Sequence, residues 1–306
     1  MIKHPTAIIV IGHGTSSRAG VSQFFDWVAT IQSRDPARTY YAGFMELAEP
    51  NIEDAIAQAV RDGHRDLLCQ PVLLLAAGHA KNDFPAMIHH IAAKHHGVTV
   101  RYGSPLQLTA EIVALCARHV CDAAAGLDLN HCTLLVVGRG TSDPDANSNV
   151  SKLARMLEEG LGFAASSVCY FSTTRPRLAN GLDQVASRAE GPVVVFPFIL
   201  FAGFLDSMLT TELVRVQACY PAVKFVRSAP FGAAPGFAEA FIDRTQQSLE
   251  GGAEMPCLLC KYRSPMPGWE HEVALPPASS HHHSHHGHDH GHDNGHDHGH
   301  DHGHDP

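Results

Sequence analysis

The amino-acid sequence predicts an α/β fold built from two tandem lobes, each with a parallel sheet flanked by helices. Three observations support this prediction. Short apolar runs end in glycine turns, segments with helical periodicity follow them, and the whole order recurs later in the chain. Alternating strands and helices of this kind form parallel sheets that are covered by helices on both faces.

The first half contains four predicted strands, each an apolar run typical of a strand buried in a parallel sheet. They span residues 7–11, 40–45, 67–75 and 98–102. Helical spacing of apolar residues between 21 and 31 predicts the first helix. Pro50 opens the second, which ends at Gly63, and a third runs from Gly78 and His79 to about Lys94.

The second half repeats these motifs at an offset of 125 or 126 residues. The matching segments are 12–16 with 138–142, 44–50 with 170–176, 75–79 with 200–204, and 103–105 with 228–230. The repeat predicts an N-terminal lobe over residues 1–125 and a C-terminal lobe over residues 126–250. A segment with a Cys-x-x-Cys motif follows at 251–278, and residues 279–306 form a tail of His, Asp, Gly and Ser that we expect to be disordered.

The composition narrows the function classes. The formal net charge is −9, and the few Lys and Arg residues are scattered, which argues against a nucleic-acid partner. No apolar run approaches the roughly 20 residues of a membrane span, and the N-terminus lacks the features of a signal peptide. Without an export signal, the eight cysteines are expected to be reduced, buried thiols of a cytoplasmic protein.

Candidate functional residues emerge when the two halves are aligned. The first half has His13, Glu46 and His79 at or near the ends of predicted strands, where parallel sheets bind ligands. The second half has different side chains at the matching positions: Arg139, Ser172 and Phe204. A single histidine after a strand is usually an ordinary loop residue. A pair of histidines that the second lobe lacks at the matching positions indicates a functional role for both.

Two imidazoles and a carboxylate suit Co²⁺, Ni²⁺, Fe²⁺ or Zn²⁺, and imidazole also accepts protons near neutral pH. Metal insertion into a tetrapyrrole needs both properties. The glycine turn 12–15 lacks the Gly-Lys-Ser/Thr ending of a P-loop, and no strand is followed by Gly-x-Gly-x-x-Gly. The sequence therefore predicts no nucleotide cofactor.

At these residues the sequence resembles the class II tetrapyrrole chelatases, specifically the long-form sirohydrochlorin cobaltochelatases of the CbiX type. The resemblance covers roughly residues 5–250. Its motifs are Ile-Gly-His-Gly-Thr at 11–15, Phe-Met-Glu-Leu-Ala-Glu-Pro at 44–50, Leu-Ala-Ala-Gly-His-Ala-Lys-Asn-Asp at 75–83, Gly-Arg-Gly-Thr-Ser-Asp at 138–143 and Pro-Phe-Ile-Leu-Phe-Ala-Gly at 197–203.

The resemblance implies two flavodoxin-like, chelatase-like lobes that face each other across a cleft for the macrocycle. It implies that His13 and His79 are metal ligands and proton acceptors, and that Glu46 assists them. The implied reaction is the insertion of Co²⁺ into sirohydrochlorin, with loss of two protons, in cobalamin biosynthesis. Because sirohydrochlorin carries several carboxylates, Arg139 and Arg175 become candidate substrate-binding residues. The alternative is that both are solvated turn residues.

Cys257 and Cys260 form the Cys-x-x-Cys motif. Two cysteines alone could be half of a zinc site, a redox pair or neither. The resemblance implies that this segment binds an iron–sulfur cluster, with further ligands from elsewhere. The tail at 279–306 is expected to bind several divalent ions weakly, although it could be an expression tag.

Several alternatives stay open at the level of sequence. Iron or nickel could replace cobalt as the inserted ion, because no ligand separates these metals cleanly. A non-catalytic metal store or metallochaperone, in which the tail is the working part, belongs to a different class. The chain is expected to act as a monomer of two lobes or as a homodimer.

Overall fold

The computed structural model of the chain describes residues 6–253, 259–265 and 267–274. The N-terminal lobe contains a four-stranded parallel sheet in the order β2-β1-β3-β4. Its strands are β1 (Ala7–Gly12), β2 (Tyr40–Phe44), β3 (Asp66–Pro71) and β4 (Thr99–Tyr102). Its helices are α1 (Arg18–Arg34), α2 (Ile52–Arg61), α3 (Phe84–Ala93) and α4 (Ala110–Ala123). A π-helical turn, His79–Asp83, leads directly into α3.

The C-terminal lobe repeats this order around a second four-stranded parallel sheet, β6-β5-β7-β8. Its strands are β5 (Thr133–Gly138), β6 (Ala165–Tyr170), β7 (Val193–Pro197) and β8 (Phe225–Arg227). Its helices are α5 (Pro144–Leu161), α6 (Leu178–Ala186), α7 (Phe204–Cys219) and α8 (Phe237–Glu250). The predicted fold class is therefore confirmed.

The repeat extends to backbone detail. Gly14 and Gly140 follow the central strands β1 and β5, and both have a left-handed backbone, with φ of 97° and 82°. The loops after β2 and β6 also match, since an isolated bridge joins Phe44 to Asn51 in one lobe and Tyr170 to Arg177 in the other. Equivalent loops therefore surround the carboxyl ends of both sheets.

Side-chain caps begin the helices that follow these loops. The hydroxyl of Ser17 accepts a hydrogen bond from the amide of Gly20 at the start of α1, and the carboxylate of Asp143 accepts one from Asp145 at the start of α5. Such caps satisfy amide donors that have no partner within the helix.

The last helix of each lobe packs against the other lobe. In α4, His119 Nε2 lies 2.8 Å from the backbone oxygen of Ala229, and α4 also contacts α5 and β7. In α8, Arg244 donates hydrogen bonds to Pro105 and Ser104, while Phe237 stacks on Trp27 of α1. One buried apolar cluster consequently includes residues from both lobes.

Two predictions were wrong: the end of the third strand and the burial of all the cysteines. The third strand was predicted over 67–75 but ends at Pro71, which has no amide hydrogen to extend the ladder. The residues after Val72 turn towards the loop at Leu106, whose amide donates to the oxygen of Leu73. The cysteines are not all buried, because Cys121 and Cys219 are exposed. An apolar run cannot by itself distinguish a strand from the wall of a cavity.

Candidate active site

A cleft of about 890 Å³ lies between the two lobes. Both glycine turns line it, as do the segments 72–75 and 198–205 that follow β3 and β7. Ligand sites commonly lie at the carboxyl ends of parallel strands, and this volume falls within the usual range for small-molecule sites. Most of the wall is apolar, and a few polar groups from both lobes converge in it.

The turn after β1 brings His13 next to the loop that carries Glu46. A side chain at Gly14 would place its Cβ 1.7 Å from the backbone oxygen of Glu46, so the turn needs a glycine there. The amide of Glu46 donates to the backbone oxygen of His13 at 3.1 Å. As a result, His13 Nδ1 lies 3.5 Å from Glu46 Oε1.

The other ring nitrogen of His13, Nε2, meets the C-terminal lobe. Nη2 of Arg139 lies 3.2 Å from His13 Nε2. A guanidinium can only donate hydrogen bonds, so Nε2 accepts this one and His13 carries its proton on Nδ1, towards Glu46. His13 is therefore held between a cation and a carboxylate.

The second histidine is positioned by its own helix. His79 begins the π-helical turn, and its Nδ1 lies 2.8 Å from Asp83 Oδ2, one turn further along. A carboxylate behind an imidazole fixes the ring and stabilises its protonated form. The rings of His13 and His79 lie edge to face with their centroids 5.0 Å apart. The structure thus brings the predicted histidine pair together in one cleft.

The environment of Arg139 favours an anionic ligand. Its side chain is exposed in the open cleft, and partial desolvation by the surrounding protein lowers the pKa of Arg139, while the Glu46 carboxylate acts in the opposite direction. The guanidinium remains charged at any physiological pH. A carboxylate in the cleft would form charge-assisted hydrogen bonds with this guanidinium.

Among the described residues, no group of three or more His, Cys, Asp or Glu side chains is arranged to hold a metal ion. The histidine pair alone offers too few ligands for a closed site, which normally has four. Among the described residues, an ion bound to this pair would therefore have coordination positions left to fill.

The other predicted site residues are placed less favourably. Glu46 supports His13 but is not among the residues that line the cleft, and Arg175 is exposed and also lies outside that lining. Cys257 lies outside the described residues. Cys260 is buried, and its Sγ accepts a hydrogen bond from Arg263 at 3.6 Å. The described residues therefore give no support to an iron–sulfur cluster. The tail at 279–306 also lies outside them.

Three features in or beside the cleft were not assigned from the sequence. Asp83 could have been identified, since a residue four positions after His79 on a helix shares its face. Lys81 reaches into the C-terminal lobe, where it meets Asp143 and Asp145. Residues 259–265 and 267–274 also reach the cleft and contribute Lys261, Tyr262 and Glu272 to its wall. No sequence pattern indicates that last placement.

The described part of the chain has no helix that is both long and apolar enough to cross a membrane. In the cleft, the wall is apolar, two histidines are each backed by a carboxylate, and one arginine faces them. This arrangement suits a flat apolar ligand that carries acidic substituents and exchanges protons or a metal ion.

Comparison with known proteins agrees with this geometry. The chain is 30% identical to the sirohydrochlorin cobaltochelatase of Priestia megaterium, over 84% of each chain. It is 26% identical to the sirohydrochlorin ferrochelatase of Bacillus subtilis, over 79% of this chain and 91% of the relative. The solved structure of SirB from Bacillus subtilis with Fe³⁺ matches with a TM-score of 0.72 and 25% identity, covering 82% of this chain and 99% of SirB.

The family model for CbiX matches residues 7–123 and 133–248, that is, one copy on each half of the chain. The two matched regions each contain one of the four-stranded sheets and the glycine turn that borders the cleft. With both halves matched and a relative of 30% identity along most of its length, this chain belongs to the CbiX family.

Proposed function

We propose that this protein is a sirohydrochlorin cobaltochelatase, which inserts Co²⁺ into sirohydrochlorin with the release of two protons. The proposal depends chiefly on one observation: His13 and His79 lie with their rings 5.0 Å apart in the cleft, and each has a carboxylate partner. It is supported by the Priestia megaterium relative, which bears this name.

The histidine pair matches the proton balance of the reaction. Two pyrrole N–H protons must leave the macrocycle when a divalent ion enters it, and the cleft offers two imidazoles as acceptors. Imidazole takes up protons near neutral pH, and Glu46 and Asp83 would stabilise the imidazolium ions that form. The same imidazoles are suitable ligands for Co²⁺ before its transfer.

The pyrrole nitrogens would supply donors beyond those that the described residues offer. An ion held by two imidazoles and water would gain the macrocycle nitrogens one after another as it loses its protein ligands. A tightly closed protein site would oppose that transfer, because ligand exchange would become costly. Arg139 would bind a carboxylate of the macrocycle and help to orient it in the apolar cleft.

Iron is the main alternative metal, since the Bacillus subtilis relative is a ferrochelatase. The residues of the cleft offer the same ligands to both ions, and we prefer cobalt because of the Priestia megaterium relative. A simple metal store is less well supported, because storage requires neither an apolar cleft nor an arginine that faces the histidines.

The other expectations for this chain remain proposals. We propose a cytoplasmic location, in line with seven described cysteines that are all free thiols. The iron–sulfur cluster at Cys257 and Cys260, metal binding by the tail at 279–306, and action as a two-lobed monomer or a homodimer each await their own experiments.

A direct assay tests the proposed activity. Purified protein is mixed anaerobically with sirohydrochlorin and with Co²⁺, Fe²⁺ or Ni²⁺ in turn, and the change in the absorption spectrum of the macrocycle is followed. We expect the protein to accelerate insertion most strongly with Co²⁺. A rate equal to the protein-free reaction with every metal would disprove the chelatase function, and a preference for Fe²⁺ would identify the alternative.

A further inference from the structure

His13 and Arg139 are equivalent residues of the duplicated lobes, 126 positions apart, and they meet across the cleft. Each follows the central strand of its own sheet and precedes a glycine with positive φ. The loops that carry them come from different lobes, but Arg139 Nη2 reaches to 3.2 Å from His13 Nε2. The contact joins the basic residue of one lobe to the predicted metal ligand of the other.

This contact occupies the nitrogen that a metal would need. Nδ1 of His13 faces Glu46, whereas Nε2 points to the guanidinium. A neutral imidazole has one lone pair available for coordination, and a hydrogen-bond donor directed at that lone pair competes with a metal ion. The hydrogen bond from Arg139 therefore blocks coordination through His13 Nε2.

We propose that Arg139 masks His13 until a carboxylate of the macrocycle captures the guanidinium, so that the macrocycle binds first and creates the metal-binding form of the site. This inference rests on the proposed function, because it requires a substrate with carboxylates in the cleft. It gives Arg139 a positioning role beyond that of a simple anchor for the substrate.

The exchange of partners is favourable on chemical grounds. A guanidinium forms stronger hydrogen bonds with a carboxylate, where both partners are charged and two parallel bonds can form, than with a neutral imidazole. The backbone of Arg139 is fixed, since its oxygen accepts hydrogen bonds from the amide and the hydroxyl of Ser172 at 3.0 and 3.2 Å. Only the side chain needs to move.

Masking would also protect the site from ions that arrive without a macrocycle. When a ligand binds only one form of a protein, its apparent affinity is reduced by the fraction of the protein in that form. In the empty enzyme the masked form would predominate, and Co²⁺ would bind weakly. Binding of the macrocycle would remove this penalty and direct the ion to the place where insertion occurs.

The test measures Co²⁺ binding to the full-length protein without any macrocycle, by calorimetry and by the visible absorption of histidine-bound Co²⁺. We expect Arg139→Ala to bind Co²⁺ in the cleft about tenfold more tightly than the wild-type protein, as the loss of one competing hydrogen bond predicts. Any ions held by the tail are common to all variants, so the cleft component is the part that His79→Ala removes.

Two controls separate masking from general electrostatics. Arg188→Ala removes the same charge from an exposed position that does not line the cleft, and it should leave the affinity unchanged. The combination of Arg139→Ala with His13→Ala should show no gain over His13→Ala alone, because the unmasked ligand is gone. If Arg139 instead weakened Co²⁺ binding only by charge repulsion at a distance, Arg139→Ala would still raise the affinity in the protein that lacks His13.

The outcomes are distinct from those of the insertion assay. Equal Co²⁺ affinity in Arg139→Ala and wild type, or a gain that persists without His13, would overturn the masking role even in an active chelatase. A tenfold gain that depends on His13 would support it, and initial rates should then follow an order in which sirohydrochlorin binds before Co²⁺. If the protein masks His13 but inserts no metal, only the proposed function fails.

Discussion

Lys81 Nζ lies 2.8 Å from Asp143 Oδ2, and this contact joins the π-helical turn of the N-terminal lobe to the residue that caps α5 in the C-terminal lobe. Asp145 approaches the same ammonium group at 2.8 Å, and the side chains of Lys81 and Asp143 are almost completely buried. Burial alone would lower the pKa of Lys81, but the hydrogen bonds that it donates to the two aspartates outweigh it and raise that pKa. Lys81 follows His79 by two residues, so the contact also anchors the turn that carries the histidine.

Replacement of Lys81 by methionine should strongly destabilise the protein, because it leaves buried carboxylates without a counter-ion. We expect the free energy of unfolding to fall by about 3–5 kcal/mol, measured by denaturant titration. The matched control is Lys94→Met, which breaks an exposed pair with Glu53 and should change stability by about 1 kcal/mol or less. Similar effects of the two substitutions would show that the buried contact contributes little.

His13→Ala and His79→Ala should each lower the rate of metal insertion by about 10²–10⁴-fold, the usual contribution of a general base. Both side chains are only half-buried and face the cleft, so the thermal unfolding temperature should change little. Circular dichroism together with the absorbance assay makes this measurement. Turnover near the wild-type rate in either variant would remove that histidine from the mechanism.

Asp83→Asn should reduce kcat by about 10–100-fold, the typical loss when the carboxylate behind a functional histidine is removed. The amide retains the shape of the side chain but can no longer stabilise a protonated His79. Asp54→Asn, an exposed substitution on α2, serves as the control for the loss of one negative charge. If both variants retain full kcat, the contact between Asp83 and His79 is structural only.

Arg139→Ala should raise the KM for sirohydrochlorin more than it lowers kcat, because an anchor for a remote carboxylate binds substrate and transition state alike. Arg175→Ala should change KM much less, since Arg175 is exposed and does not line the cleft. Steady-state kinetics on both variants compares the two arginines directly. An effect of Arg175 that equals that of Arg139 would mean that the substrate extends beyond the cleft.

Acid stability should depend on Asp35. Burial acts to raise the pKa of Asp35, but hydrogen bonds from Tyr40 and Arg38 outweigh it, and the pKa lies below its ordinary value. The unfolded chain therefore takes up a proton at a higher pH than the folded one. The stabilisation is complete above the unfolded pKa of about 3.9 and disappears as the pH falls through the folded value.

Asp35→Asn should accordingly lower stability at pH 7 and flatten the loss of stability on acidification below about pH 4. Urea titrations of both proteins between pH 7 and acid measure this difference. Asp26→Asn on the exposed face of α1 is the control, and it should leave the acid dependence as in the wild type. Parallel pH curves for wild type and Asp35→Asn would contradict the assigned role.

The sequence by itself determined the alternation of strands and helices, the duplication, and the pair His13 and His79. These features are local or periodic. A buried strand needs a short apolar run, a helix needs apolar residues at intervals of three or four, and a repeat preserves both. The glycine turns could also be recognised, because Gly14 and Gly140 adopt a backbone conformation that other residues rarely take.

Only the tertiary structure decided which of these residues meet. Three contacts join segments that are at least 62 residues apart in the chain. They are the hydrogen bond between Arg139 and His13, the ion pair of Lys81 with Asp143, and the packing of Tyr262 in the cleft wall. The position of Arg175 outside the cleft lining was settled in the same way. The physical reason is that the secondary-structure propensity of residues and the periodicity of apolar residues act within a few positions of the chain. A site between lobes depends instead on how the two sheets pack, and on how α4 and α8 each pack against the other lobe.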